Sequence, residues 1–285
     1  MSAADELDID RIDWAALALP DPQGRGSALA RAMASARKGR WSGETALGPP
    51  RPDELTLFDG CVAIRHVREQ CHLPRYRNAP LDHPNIAIAE SYVRRWPGGY
   101  ALVRGIVDTY NPIFDTEIPA ERWTSSGGSA SHFDTWRFGM IFATVYHPIG
   151  LAQAFVHEAA HQKLFGIGVL IEHADRIVRN DPTRLFPSPV VERPRPMTAV
   201  LHAEYSFIHV TELELLLLDA LRDEPDCERE RRILRSFLFR NLTRLEPGLR
   251  TIEAAIETDA AGDQFVGAFI SWAKQVLQRA RTRLE

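Results

Sequence analysis

The chain lacks what many functions need. Its 285 residues include only three cysteines, Cys61, Cys71 and Cys227. They are odd in number, far apart and without a C-x-x-C pair, which excludes a disulfide framework and a structural zinc knuckle. Charge of one sign is not in excess either: 34 Lys and Arg stand against 38 Asp and Glu, a net −4. That balance argues against wholesale nucleic-acid binding. The seven arginines within 229–250 are a local exception and read as a solvated helix face. Long apolar runs are missing as well. The longest, "LELLLLDAL" (213–221), is too short to span a bilayer. The opening "MSAADELDIDRIDW" lacks the charged-then-apolar order of a signal peptide. The expectation is a cytoplasmic protein with no membrane and no nucleic-acid partner.

What is present is an ordinary globular composition, long enough for one large domain or two small ones. Helical spacing of apolar residues is read at 27–40 and 53–72. Short β-rich runs suggest strands at 100–107 ("YALVRGIV") and 136–146 ("WRFGMIFATVY"), with a flexible loop at 125–134 between them. From Pro148 onward the pattern is helical: about 149–165, 167–178, 198–222, 228–245 and 260–283. The fold class is therefore α+β, predominantly helical, with a small β element ahead of a helical half. Residues 1–130 form a mixed region that could serve substrate recognition, and 131–285 a helical metal-binding region, the two read as one continuous domain.

The chemistry concentrates in "FVHEAAHQKLFG" (155–166). His157 and His161 are four residues apart, so a helix places both imidazoles on one face, about one turn apart, where they can share a cation. Glu158 points roughly 100° away around the helix and can reach a metal-bound water, which is the logic of zinc hydrolases. Apolar flanks imply a buried or half-buried helix, and buried imidazoles need partners. Two ligands are too few. The next long helix is apolar on nearly every side, so its polar residues require a reason. His202, Tyr205, His209 and Glu212 lie along one face, and Glu204 roughly opposite His202. A zinc peptidase would choose Glu204 or Glu212; the histidine face favours His202, with His209 as competitor or core histidine. Tyr205 could hydrogen-bond a ligand. Arg193 and Arg195, stiffened by Pro194 and Pro196, precede this helix, and Arg195 is placed to take a carboxylate in a bidentate fork.

Together, the HE-x-x-H-x-KL pattern, the "RP" step and the "LH-x-x-Y" helix start resemble the HExxH-motif domain proteins associated with peptide modification, over roughly residues 136–215. The resemblance implies an iron(II)- and 2-oxoglutarate-dependent oxygenase that hydroxylates the β-carbon of a residue in a ribosomally made precursor peptide. It implies His157, His161 and His202 as ligands to Fe(II), Arg195 as anchor of 2-oxoglutarate with Tyr205 beside the cosubstrate, and a catalytic Glu158 whose task would be to orient a ligand or a water. Such a site departs from the two-histidine, one-carboxylate triad common in non-haem iron oxygenases. The alternatives are a zinc metallopeptidase with Glu158 as general base, and a catalytically degenerate peptide-binding module. A second motif, His132-Phe133-Asp134, resembles the H-x-D of β-helix oxygenases, but a helical chain after residue 150 cannot supply the extended sheets that motif requires.

Overall fold

The computed structural model describes residues 11–38, 50–67, 75–118, 129–131 and 138–285. Cys71, the 132–134 motif and most of the 125–134 loop lie outside them. The fold is α+β and mostly helical. Two N-terminal helices, α1 (Trp14–Ala18) and α2 (Arg25–Lys38), precede three short strands, β1 (Thr56–Leu57), β2 (Val62–Ile64) and β3 (Tyr76–Asn78). Helices α3 (Pro84–Arg94) and α4 (Pro97–Ile106) lead to β4 (Thr109–Asp115), β5 (Ser129–Ser131) and β6 (Met140–Thr144). The sheet runs β1-β2-β4-β6-β5, with β3 also pairing β4. β2, β4 and β6 are parallel. The β4–β6 ladder crosses the expected 130/131 boundary, so both regions build one sheet.

Helix α5 (Pro148–Ile167) follows β6 and is the centre of the molecule. Proline at its first position needs no N–H partner, and His147 caps it by accepting from the Ile149 N–H. Gly168, with φ of 100°, ends it in a left-handed turn that a side chain would strain. α2, α3, α4, the sheet and α6 (Met197–Ala220) all pack around it. A small hairpin, β7 (Leu185–Phe186) with β8 (Arg195–Pro196), leads into α6. α7 (Glu228–Ala255) and α8 (Ala260–Leu284) then cover the outer side of α6. Among the described residues no helix is long and apolar enough to cross a membrane.

Three expectations fail for identifiable reasons. Residues 100–106 of the expected 100–107 strand belong to helix α4: Pro97 starts it, and Gly99, Leu102, Val103 and Ile106 share its buried face. The 167–178 helix does not form, because the Gly168 turn redirects the chain into an isolated bridge between Val169 and Ala174. The described part of the 53–72 stretch, residues 53–67, holds β1 and β2 instead of a helix. α7 also runs ten residues past its expected end, through Pro247. An interior proline forfeits a hydrogen bond and clashes with the preceding turn. Here Leu249 and Ile252, buried beyond it, offset that loss.

Candidate metal centre

α5 and α6 pack antiparallel. His161 meets His202, one turn back His157 meets Phe207, and one further turn back Gln153 meets Glu214. The histidines thus converge as their spacing predicts. His157 Nε2 lies 3.1 Å from His161 Nε2. Two nitrogens bound to one ion at about 2.1 Å would stand roughly 2.9–3.4 Å apart, so this pair fits a divalent transition metal. His202 is also adjacent, but at the other face of the same ring: its Nδ1 is 3.0 Å from His161 Nδ1. The three imidazoles form a chain with His161 in the middle. Correspondingly, among the described residues no three His, Cys, Asp or Glu side chains form a ready cation site.

Hydrogen-bond direction along this chain follows from its anchored end. His202 Nε2 lies 2.8 Å from the Val169 carbonyl, which can only accept, so Nε2 carries the proton. Burial holds the His202 pKa down to about 4 and that of His161 well below its ordinary value, the neighbouring imidazoles adding to the effect on His161. A neutral His202 then offers a lone pair at Nδ1, to which His161 Nδ1–H donates. The His161 Nε2 that faces His157 is left as the basic nitrogen. This is how metal-binding histidines are commonly oriented. His157 is likewise shifted down by burial, with Glu158 opposing. His157 and His161 are half-buried, whereas His202 is closed off at 1 % exposure. The open side of the centre is therefore at His157.

Glu158 is 3 % exposed and within electrostatic reach of His157. The residues after the motif anchor the helix. Gln162 accepts from Gly139 N at 2.9 Å and donates to Met140 O at 3.1 Å, fixing α5 to the start of β6. Lys163 is buried, its pKa lowered to about 8 by desolvation, and donates to Leu19 O at 3.3 Å.

The α6 carboxylates all turn elsewhere. Glu204 packs so closely on α7 that a Cβ at Gly248 would overlap its Oε1. Burial raises its pKa well above normal. Glu212 pairs with Arg279 of α8. Glu214 accepts from Gln153 at 2.7 Å and from Asn241 at 3.0 Å. Tyr205, expected beside a cosubstrate, instead sits among Phe265 and Phe269 of α8, with ring centroids at 5.7 and 5.3 Å. Positions 202 and 205 neighbour each other on the helix, but the Tyr205 ring turns toward α8. His209 is a core histidine: Nδ1 donates to Tyr205 O at 2.8 Å, and its ring packs on Trp96 and Trp272. Arg195 is half-buried on β8, which leads into α6. Arg193 is exposed.

Sequence reasoning missed Gln153, Phe207, Gln162 and Glu214. Gln153 had a signal: it lies four residues before His157, continuing the 157/161 stripe. The others depend on which neighbour each helix meets. No protein-family model matches the chain, and no curated protein matches it significantly.

Proposed function

We propose that this protein is an iron(II)- and 2-oxoglutarate-dependent oxygenase that hydroxylates a β-carbon in a ribosomally made peptide. The observation that carries the reading is the division of labour on α6. His202 turns toward the histidine pair, while Glu204, Glu212 and Glu214 are engaged with α7, α8 and Gln153. A peptidase centre of two histidines and a downstream glutamate would need one of those carboxylates at the pair. A centre built from neutral imidazoles leaves both positive charges of a divalent ion uncompensated, which suits a dianionic cosubstrate. The sequence resemblance supports the same reaction and the peptide substrate.

His157 and His161 would hold the ion through Nε2. His202 fixes the ring of His161 in the arrangement described, and direct ligation by His202 would require the His161 ring to turn. Iron with 2-oxoglutarate and dioxygen supplies the oxidising power to place one oxygen in a C–H bond, the cosubstrate leaving as succinate and carbon dioxide. Glu158, beside His157, would orient water or the ion's ligands. Phe207, whose ring meets His157 edge-on at 4.7 Å, keeps the open side apolar and limits water there. The zinc-peptidase reading draws on one observation, the carboxylate of Glu158 close to His157.

The deciding experiment is anaerobic reconstitution with Fe(II), followed by 2-oxoglutarate, ascorbate, oxygen and candidate precursor peptides. Succinate release with a peptide mass gain of one oxygen, about 16 Da, is the expected result. Zinc-dependent peptide cleavage without 2-oxoglutarate turnover would replace this reading with the hydrolytic one.

A further inference from the structure

Two helices that pack on each other begin in the same way. α3 starts at His83-Pro84 and α5 at His147-Pro148. Proline brings no N–H to the first turn, so few donors remain there to be satisfied. In each helix the histidine Nδ1 accepts one of them: the Asn85 N–H at 3.3 Å and the Ile149 N–H at 3.2 Å. Helix caps are usually serine, threonine, aspartate or asparagine, whose oxygens accept throughout the neutral range. An imidazole accepts at Nδ1 only while it is neutral with its proton on Nε2. Once it is protonated both nitrogens donate, and its charge faces the positive end of the helix.

The two caps share one junction. Asn85, whose N–H is received by His83, sends its side-chain amide to Val145 O at 2.8 Å and to Tyr146 O at 3.2 Å, directly before His147. The rings are linked as well: His83 meets Phe114 edge-on at 6.4 Å, and Phe114 stacks on Tyr146 at 5.6 Å. Both histidines are half-buried, and burial lowers the pKa of each. Asp82 opposes that shift at His83. At His147 Arg229 of α7 adds to it and Glu230 opposes it. Asp115 of β4, next to Phe114, is paired with Arg75.

We propose that His83 and His147 form an acid-sensitive clasp on the junction of α3, β6 and α5. Each ring holds its helix entry while neutral and lets go when it takes a proton, and through the Asn85 bridge the release of one loosens the other. In the unfolded chain a histidine takes its proton near pH 6.5. With the folded values lower, the clasp is closed above about pH 6.5 and opens as the pH falls through them. His147 stands about 15 Å along α5 from His157. The far end of α5 is held to Gly139 and Met140 by Gln162, so acid frees the entry of the helix before its anchored end. The clasp is independent of the reaction proposed for the histidine pair.

The test follows amide exchange by NMR in the full chain from about pH 7.5 to about pH 4.5, on either side of the ordinary histidine value. Each rate is corrected for the intrinsic pH dependence of exchange, and Phe155 in the middle of α5 is the reference amide. Below about pH 6.5 the protection of Ile149 and Asn85 should fall by roughly 2- to 30-fold more than that of Phe155, the range for losing a helix cap. Asparagine caps a helix without titrating. His147→Asn should therefore abolish the extra loss at Ile149 and reduce it at Asn85, and His83→Asn the reverse. No extra loss in wild type, or an extra loss that persists unchanged in the variants, overturns the clasp. An effect confined in each variant to its own helix overturns the pairing. If a variant fails to fold, the wild-type rings decide: the His83 and His147 nitrogens must titrate with the same midpoints as the amide changes at Asn85 and Ile149, and midpoints that differ overturn the proposal.

Discussion

His202 has two ring nitrogens and a different task at each: Nε2 is tied to Val169 O, and Nδ1 receives His161. Removing a hydrogen-bond partner of a metal ligand typically lowers metal affinity 10- to 100-fold without removing the site. His202→Ala should therefore retain one ion per chain with affinity reduced about 10- to 100-fold, measured by chelator competition. His157→Ala and His161→Ala should each abolish stoichiometric binding. Complete loss in His202→Ala would instead make it a direct ligand, and an unchanged affinity would leave it no part in the centre. The pair at 157 and 161 was legible in the sequence because helix periodicity alone aligns residues four apart. The placement of Tyr205 among the α8 aromatics and of Arg195 on β8 was not, since both depend on which neighbour each face meets. Gln162 offers a second residue-scale test. Gln162→Leu leaves the buried Gly139 N–H without its acceptor, which should lower unfolding free energy by roughly 1–3 kcal/mol. A denaturant midpoint equal to wild type would refute that account.

Helices α5 and α6 could be read to within a few residues because proline and glycine mark the limits of α5, and because apolar residues surround α6 on all sides, as a buried helix requires. α4 was misread as a strand because eight apolar-rich residues do not distinguish a short buried helix from a buried strand. α7 was cut short at Pro247, a local signal overruled by packing on both sides. Where α7 crosses α6, Gly248 admits the carboxyl of Glu204. Alanine normally stabilises a helix over glycine by about 1 kcal/mol. Gly248→Ala should do the opposite and destabilise by roughly 1–3 kcal/mol, since the new methyl forces the helices apart. Adding Glu204→Ala should restore part of the loss. A thermal melt in which Gly248→Ala alone is the more stable protein would contradict this packing.

Over the whole molecule, the buried histidines make stability depend on pH. His202 and His209 are held down to about 4 and about 3, chiefly by desolvation, and His161 well below normal. In the unfolded chain a histidine takes its proton near 6.5. Between those values the unfolded state binds more protons, so stability is full above about pH 6.5 and falls as pH drops toward 4 and then 3. Glu204 and Glu214, raised by burial, work the other way: their contribution is present below about pH 4.5 and is lost as pH rises through their folded values. For metal-free protein, urea midpoints should decline between pH 7 and 5, and His209→Phe should make that decline shallower. A decline no shallower in His209→Phe than in wild type would mean that this imidazole is not neutral in the fold.

The residues that follow the second histidine have a consequence for how the centre responds to its occupant. Gln162 binds α5 to the β6 edge, Lys163 binds it to the Leu19 carbonyl, and Gly166 lies where a side chain would press on Ala30 O at 2.7 Å. Held by the sheet and by the N-terminal helices, α5 behaves as a fixed jaw. The 157–161 pair then keeps one span, and ions that prefer a wider or narrower separation of the two nitrogens are held less well.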